Sequence, residues 1–295
     1  MPPFKIMTFN IKGAYFNDGE NNWQHRWPLT VETIQRHAPD LVGFQEVQTP
    51  NQATLAEQLS EYDFELGPDT ARENSTGHGY HNAIYWNPQR FEKVRSGSFY
   101  LSETPDVYSR DWDGSEVRGV TWVELRDQQT QGSFLHLNSH FPHDIEWARI
   151  EAAKLICATF DTWHEDHPLP ALMTADFNTR AADHVDRETI NTQPEQFQRW
   201  VESDMPPAAQ VHRVFTGHGF KDTFREVGRA DASTVNTFHR FMGQAFPRLG
   251  YRIDWILTLD GVQRWHTHAC EIITDEAPPL YPSDHYPVLA EVELR

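Results

Sequence analysis

Six short apolar runs in this sequence stop on, or start from, a side chain that can do chemistry. In chain order these polar residues are Asn10, Glu46, His140, Asp176, Asp254 and the pair Asp284-His285. A buried strand does not need a charged residue at its end. An active site shared by several strands does need such residues there, because strand ends hold side chains rigidly and can bring them together at one point. The pattern therefore predicts one polar centre assembled from pieces scattered over the whole chain.

Two of these residues are hard oxygen ligands. Asn10 ends the run 4–9, and Glu46 ends the run 41–45. Proteins typically hold Mg²⁺ with one or two carboxylates, several waters and the phosphate oxygens of the substrate. Taken alone, a glutamate after an apolar run is more often a solvated strand end, so the pair points to a metal only in company with the other residues.

Asp176 and Asn178 are two residues apart, which puts both side chains on one side of an extended backbone. Such a carboxylate can orient a water or accept its proton, and the amide can donate to a phosphoryl oxygen. The alternative is an Asx turn that closes a strand. His140 also ends a strand; alone it would more often be a hydrogen-bonded core or surface histidine, and its value comes from sharing the pattern.

Asp254 and the Asp284-His285 pair form a third group. A histidine that acts near a phosphate needs a carboxylate on its other ring nitrogen, to fix the tautomer and raise basicity. Asp254 is the natural candidate for this role with His285, and Asp284 can then join Asn10 and Glu46 at a metal. A charged turn before a last strand is the alternative.

The elements that must position these residues are short strands, rich in β-branched and aromatic residues, and a few helices. Strands are predicted over 4–10, 41–46, 82–87, 91–101, 117–126, 132–139, 170–176, 252–258, 267–274 and 287–293, and helices over 27–37, 51–59 and 146–163. Several strands follow each other with no helix between them, so mixed sheets are expected. The polar stretches 67–79 and 181–214 are predicted to be surface loops, the second with a helix.

Composition limits the partners. The 295 residues carry a formal charge of -18, which disfavours a grip on long nucleic acid but suits a small anionic substrate if a metal supplies positive charge. The two cysteines show no spacing typical of zinc or disulfide sites. With no signal-like or membrane-length apolar run, we expect a soluble, cytoplasmic monomer without stable membrane insertion.

In this order, the motifs resemble those of the endonuclease/exonuclease/phosphatase superfamily, whose members include deoxyribonuclease I-like and exonuclease III-like enzymes. The matching motifs are Thr8-Phe9-Asn10-Ile11, Gln45-Glu46, Asn138-Ser139-His140, Ala175-Asp176-Phe177-Asn178, Arg252-Ile253-Asp254-Trp255-Ile256 and Ser283-Asp284-His285-Tyr286-Pro287-Val288. Ala175 stands where the family has glycine and Ser139 where it has threonine, and neither change removes a functional atom. The resemblance extends over essentially the whole chain. Within the superfamily, the sequence is similar to a bacterial branch of small, stand-alone members.

The resemblance implies one α/β (α+β) domain over residues 1–295, built as a four-layer sandwich of two packed mixed sheets flanked by helices. It implies that Glu46 is the main Mg²⁺ ligand, with Mn²⁺ an alternative metal, assisted by Asn10 and Asp284. The implied catalytic residues, which activate water or stabilise the phosphoryl group, are His140, Asp176, Asn178, Asp254 and His285.

The implied activity is metal-dependent hydrolysis of a phosphate ester by activated water. The acidic balance favours a small phosphodiester, a phosphorylated sugar or a lipid head group over DNA or RNA, although local arginines can override the total. Arg118 and Arg149 are candidate phosphate contacts, and His239 is a candidate substrate contact. A DNA or RNA nuclease is the alternative, and a non-catalytic binding module of the same fold is a remote one.

Overall fold

Two six-stranded sheets pack face to face in the computed structural model. The described residues are 1–68, 70, 78–110, 112–114, 116–166, 168–182, 187–195, 197–198 and 209–295. The strands are β1 (Phe4–Asn10), β2 (Leu41–Val47), β3 (Asp63–Glu65), β4 (His81–Trp86), β5 (Phe91–Tyr100), β6 (Gly119–Asp127), β7 (Ser133–His140), β8 (Ala171–Asp176), β9 (Lys221–Asp222), β10 (Asp254–Leu259), β11 (Trp265–Ile272) and β12 (Val288–Leu294). The first sheet has the order β11-β12-β1-β2-β4-β3 and the second β5-β6-β7-β8-β10-β9.

Strand direction explains why the polar residues meet. Among the described strands, β1 runs parallel to β2 and β7 parallel to β8, while the other pairings are antiparallel. The carboxyl ends of these four strands therefore lie at the same edge as the amino ends of β10 and β12. The register is direct, since His140 and Asp254 both pair with Asp176. The predicted mixed sheets are confirmed.

The α-helices of the described residues include α1 (Trp23–His37), α2 (Thr49–Gln58), α3 (Glu146–Asp166), α4 (Arg187–Asn191), α5 (Gln210–Gly217) and α6 (Thr223–Glu226). Helix α1 begins four residues before the predicted start because one proline inside it, Pro28, is tolerated. Strands β3 and β9 were not predicted, since three and two residues are too short to show a period. The predicted loop 181–214 contains α4 and the start of α5, and parts of it and of 67–79 lie outside the described residues.

Three apolar clusters define the layers. One fills the space between the sheets around Ile6, Leu125 and Leu172. A second packs the outer face of the first sheet on α1 and α2, and a third packs the second sheet on α3 and α5. The predicted four-layer sandwich is thereby confirmed. Within the described chain, no helix combines the length and apolarity needed to cross a bilayer.

A buried polar network joins the two sheets just below the strand ends. The Asn138 amide donates to the carbonyl of Phe44 at 2.8 Å, and its oxygen accepts from Gln45 Nε2 at 2.7 Å and from Thr174 Oγ1 at 3.1 Å. Only a glycine fits at position 43, because a Cβ there would lie 2.0 Å from Thr174 Oγ1. The network fixes the relative height of the two sheets, and therefore of the side chains at their edges.

Candidate active site

A cavity of about 500 Å³ opens at the edge where the strand ends of both sheets meet. Its lining includes six of the eight predicted catalytic and metal-binding residues: Glu46, His140, Asp176, Asn178, Asp284 and His285. The remaining two, Asn10 and Asp254, are buried and hydrogen-bonded to members of this group. The structure thus brings the whole predicted set together from both sheets.

Asp176, at the end of β8, is the centre of the cluster. Its Oδ2 accepts from Asn10 Nδ2 at 2.9 Å and lies 3.4 Å from His140 Nε2 and 3.7 Å from His285 Nε2, while its Oδ1 accepts from the backbone N–H of Asn178 at 2.9 Å. Burial, followed by the charge of Asp254, raises the pKa of the Asp176 carboxyl. A buried carboxylate with a raised pKa is suited to accepting a proton near neutral pH.

His285 is held by Asp254, whose Oδ2 lies 2.9 Å from Nδ1 of the imidazole. Burial opposes the imidazolium, but the carboxylates of Asp254 and Asp176 outweigh it and raise the pKa of His285. His140 differs, because burial, followed by the charges of Arg118 and His285, lowers its pKa well below the usual value. The two imidazoles that face Asp176 are therefore shifted in opposite directions, His285 towards the charged form and His140 towards the neutral form.

Glu46 also lines the cavity, and Asn10 Nδ2 links it to Asp176. Its Oε1 accepts from Asn10 Nδ2 at 3.2 Å and its Oε2 from the backbone N–H of Gly13 at 2.9 Å. The backbone of Glu46 is left-handed, with φ of 61°, where β2 and β4 lose register. Lys12 connects Glu46 with Asp284 electrostatically. Its Nζ lies 3.5 Å from Asp284 Oδ2, and the charges of Asp284 and Glu46 raise the pKa of Lys12 against the effect of burial.

The donor set fits a divalent cation. Five carboxylates line the cavity against three lysine or arginine side chains: Asp18, Glu46, Glu116, Asp176 and Asp284 against Lys12, Arg118 and Arg240. Asp176, Asp254 and His285 also offer ligand atoms within 4.8 Å of one another, and Asp254 Oδ1 is buried with no hydrogen-bond partner among the described residues. Hard oxygen donors in excess of cations are the chemistry that Mg²⁺ or Mn²⁺ requires.

The three predicted substrate contacts have different positions. Arg118 lines the cavity, forms a 2.5 Å ion pair with Glu116, and has a buried Nε with no hydrogen-bond partner in the described chain. Arg149 is instead turned into the protein by the first turn of α3, where Nε pairs with Glu146 at 2.5 Å and a second nitrogen donates to the Pro142 carbonyl at 3.0 Å. Arg149 is therefore buried outside the cavity lining, and its contact with substrate stays a prediction.

His239 is fully buried and also lies outside the cavity lining. Its Nδ1 accepts from the backbone N–H of Gly243 at 3.1 Å, and its ring stacks on Tyr286 with centroids 4.0 Å apart. Burial lowers the pKa of His239 to about 3. This side chain holds a loop in place, and contact of His239 with substrate also stays a prediction.

Sequence reasoning missed several residues of the cavity wall, among them Lys12, Phe16, Asp18 and Tyr80. These belong to segments between regular elements, where no periodicity marks a side chain as facing inwards. Of these four, only Lys12 had a signal in the sequence, since it lies two residues after Asn10. In the structure its backbone N–H donates to the Asn10 side-chain oxygen at 3.0 Å.

Comparison with known proteins agrees with this geometry. Residues 7–285 match the model of the Endonuclease/Exonuclease/phosphatase family. The structure is similar to a mannosyl-6-phosphatase of Bacteroides thetaiotaomicron VPI-5482, with 27% identity, a TM-score of 0.78 and 99% of each chain covered. It is also similar to an endonuclease/exonuclease/phosphatase from Bacteroides vulgatus, with 28% identity, a TM-score of 0.79 and 100% of each chain covered.

A more distant match is the uncharacterized protein L388 of Acanthamoeba polyphaga mimivirus, which is 25% identical over 157 residues, 49% of this chain and 56% of that protein. That match spans only about half of either protein and says nothing about activity. The family match extends over nearly the entire chain, and the strand ends converge as the motifs require. The chain belongs to the endonuclease/exonuclease/phosphatase family.

Proposed function

We propose that this protein is a divalent-metal-dependent phosphoesterase that hydrolyses the P–O bond of a small phosphate ester. The observation that carries the proposal is the surrounding of Asp176, whose carboxylate lies 3.4 Å from one imidazole and 3.7 Å from another at the wall of the cavity. A carboxylate placed in this way can hold a water molecule and take its proton while the imidazoles face the phosphoryl oxygens.

The remaining residues have complementary roles. His285, kept cationic by Asp254, stabilises negative charge on the phosphoryl group, and Asp254 fixes the ring orientation. Asn178 lines the cavity, although its side-chain amide also donates to the Phe141 carbonyl at 2.9 Å. We assign Asn178 to orienting a phosphoryl oxygen through its amide.

Glu46 and Asp284 would hold the cation, with Asn10 fixing the Glu46 carboxylate or adding its side-chain oxygen. We favour Mg²⁺, with Mn²⁺ as a substitute, because the donors on this side are oxygens. A bound divalent ion supplies polarisation of the phosphoryl group and neutralises charge on the leaving oxygen. Lys12, 3.5 Å from Asp284, compensates part of the negative charge of this acidic cluster.

The cavity favours a small substrate over a polynucleotide. Its volume of about 500 Å³ matches the range usual for small ligands. Glu116 and Asp18 on its wall would repel further phosphates of a nucleic acid strand, and the overall charge of -18 adds to that repulsion. Similarity to a mannosyl-6-phosphatase supports a phosphorylated sugar in particular.

The test is hydrolysis with Mg²⁺ or Mn²⁺ of a panel comprising mono- and bis-p-nitrophenyl phosphate, mannose 6-phosphate, inositol phosphates, oligo(A) and plasmid DNA. Asp176→Asn should lower kcat by about 10²–10⁴-fold, and EDTA should abolish turnover. Asp161→Asn is a matched control, because Asp161 is exposed on α3 and pairs only with His218 among the contacts described.

The panel also separates the alternatives. Turnover of DNA or oligo(A) in preference to the small esters would support a nuclease. Absence of turnover of every ester by the unmodified protein, with either metal, would leave a non-catalytic binding module and sink the proposal.

A further inference from the structure

Left-handed backbone is concentrated at the cavity. Nine non-glycine residues of the described chain have positive φ, and five of them line the cavity: Lys12, Glu46, Asn178, Arg240 and Phe241. Such conformations are strained for residues with a Cβ and persist where the surrounding structure enforces them, often at functional sites. Glu46 and Asn178 belong to the predicted catalytic and metal set, whereas the consecutive pair Arg240 and Phe241, with φ of 50° and 56°, has no role in the chemistry.

The strained pair is anchored to the metal side of the site. The backbone N–H groups of His239 and Arg240 both donate to the Asp284 carbonyl, at 2.8 and 3.1 Å. The buried His239 ring accepts a hydrogen bond from the Gly243 N–H and stacks on Tyr286, so it holds the neighbouring Arg240 and Phe241 in place. The position of the pair relative to the catalytic residues is therefore set by the same loop that carries Asp284.

Arg240 is the cavity cation that is left for a ligand. Lys12 faces Asp284 at 3.5 Å, and Arg118 faces Glu116 at 2.5 Å. Arg240 is exposed, and no carboxylate of the described residues forms an ion pair with it. A guanidinium held on a strained backbone at the rim of a cavity, with its donors open, is arranged to bind something outside the protein.

Aromatic rings form the wall next to Arg240. Phe238 and Phe241 both line the cavity, and the Phe238 ring lies 4.9 Å from the ring of His285. Phe16 also lines the cavity, with Lys12 Nζ 4.0 Å from its ring centroid. The cavity thus has an apolar wall beside the His285 imidazole and the hydrogen-bond donors of the Arg240 guanidinium next to it. This arrangement suits a ring that has an apolar face and several hydroxyl groups.

We propose that the Phe238–Phe241 segment recognises the group esterified to the phosphate, and that this group is a sugar ring stacked on the aromatic wall with its hydroxyls bonded to Arg240. The inference rests on the proposed phosphoesterase function for the place of the phosphate. It adds the leaving-group subsite and assigns selectivity to a segment that takes no part in bond cleavage.

The test uses Arg240→Asn, because asparagine tolerates the left-handed backbone while removing the guanidinium. We expect kcat/KM for mannose 6-phosphate to fall by about tenfold to a hundredfold, mainly through KM, with p-nitrophenyl phosphate changed less than about twofold. Arg240→Lys should recover part of the loss, and Phe241→Leu should reproduce a weaker form of it. Arg95→Asn, at an exposed arginine paired with Glu124, is the control.

A binding measurement separates this inference from the proposed function. With Mg²⁺ present, calorimetry on the inactive Asp176→Asn protein should show that it binds mannose 6-phosphate more tightly than inorganic phosphate, and that adding Arg240→Asn removes the difference. Failure of all turnover with this difference intact would overturn the hydrolase but keep the sugar subsite. Equal affinity for the two ligands, tighter binding of 5′-AMP than of the sugar phosphate, or an equal loss on both esters would each overturn the subsite.

Discussion

Replacing Arg26 should loosen both loops that carry the metal-side residues. This arginine of α1 is fully buried, and its guanidinium donates to four backbone carbonyls: Asn21 at 2.9 Å, Ile11 at 2.7 Å, Lys12 at 2.7 Å and Pro282 at 2.9 Å. Ile11 and Lys12 directly follow Asn10, and Pro282 lies two residues before Asp284. One side chain thus ties together two loops that are more than 250 residues apart in the chain.

The magnitude follows from the hydrogen bonds. A bond from a charged donor contributes about 1.5–3 kcal/mol, and a buried acceptor left without a partner costs about 1–3 kcal/mol. Arg26→Met also removes the cost of burying the guanidinium, which lowers the pKa of Arg26 to about 10, and Thr30 Oγ1 still donates to the Pro282 carbonyl at 2.6 Å. We expect a net loss of about 3–5 kcal/mol in the free energy of unfolding, because removing one partner of a buried charged network costs about this much.

The assay is denaturant unfolding of Arg26→Met and Arg26→Lys, with calorimetric titration of Mn²⁺ into each folded variant. The lysine keeps a charge but lacks the planar fork, so it should be intermediate in stability. Affinity for Mn²⁺ should fall by about 10–100-fold in Arg26→Met, the usual effect of losing a group that orients metal ligands.

Arg36→Met is the matched control, since Arg36 is on the same helix but exposed, where its pairs with Glu32 and Asp275 contribute little. If Arg26→Met unfolds at the same denaturant concentration as Arg36→Met and binds Mn²⁺ with unchanged affinity, the argument that Arg26 positions the metal side is refuted.

Three further variants test other parts of the structure. Asp254→Asn should lower kcat by about 10²–10⁴-fold at nearly constant KM, because His285 loses the carboxylate that raises its pKa; steady-state kinetics would show otherwise if KM rose instead. Burial lowers the pKa of His136 to about 3, so as the pH falls the unfolded state is protonated at this histidine before the folded state is. The free energy of unfolding should therefore decrease below pH 6.5, by about 2 kcal/mol at pH 5. In urea titrations, His136→Gln should weaken this dependence of stability on pH. The pKa of Asp222 is lowered, because its ion pair with Arg252 at 2.6 Å outweighs the effect of burial. Asp222→Asn should therefore lower the free energy of unfolding by about 2–4 kcal/mol, and this loss should be constant from pH 8 to 5. Below about pH 4 the difference in stability from the unmodified protein should shrink.

The sequence predicted the strand-end residues because each directly follows or precedes an apolar run that identifies its strand. Strand direction then does the rest: once β1 and β7 run parallel to their neighbours, Asn10 and His140 must lie at the same edge of their sheets. Hydrophobic period and chain order contain that information. Short strands such as β9, with two residues, contain too few positions to show it.

Substrate contacts were less predictable because tertiary context decides which way a loop or helix-end side chain points. Arg149 follows the polar residues of the 141–145 loop and looks available, but the first turn of α3 directs it to Glu146 and the Pro142 carbonyl. His239 is adjacent to two cavity residues, Phe238 and Arg240, yet it points into the protein. No periodic pattern in this segment indicates which side chains face the cavity.

The strained backbone at the cavity has an energetic consequence. A left-handed residue other than glycine or asparagine costs about 1–3 kcal/mol, and four of these at the cavity together offset a large part of the 5–15 kcal/mol typical of a folded domain. Glycine would relieve the strain at each position but would also remove the side chain that the site uses. At Arg240, the backbone N–H donates to the Asp284 carbonyl at 3.1 Å and helps to hold the left-handed conformation. Arg240→Gly should therefore give a protein that is more stable and less selective, since stability and recognition compete for the same residue.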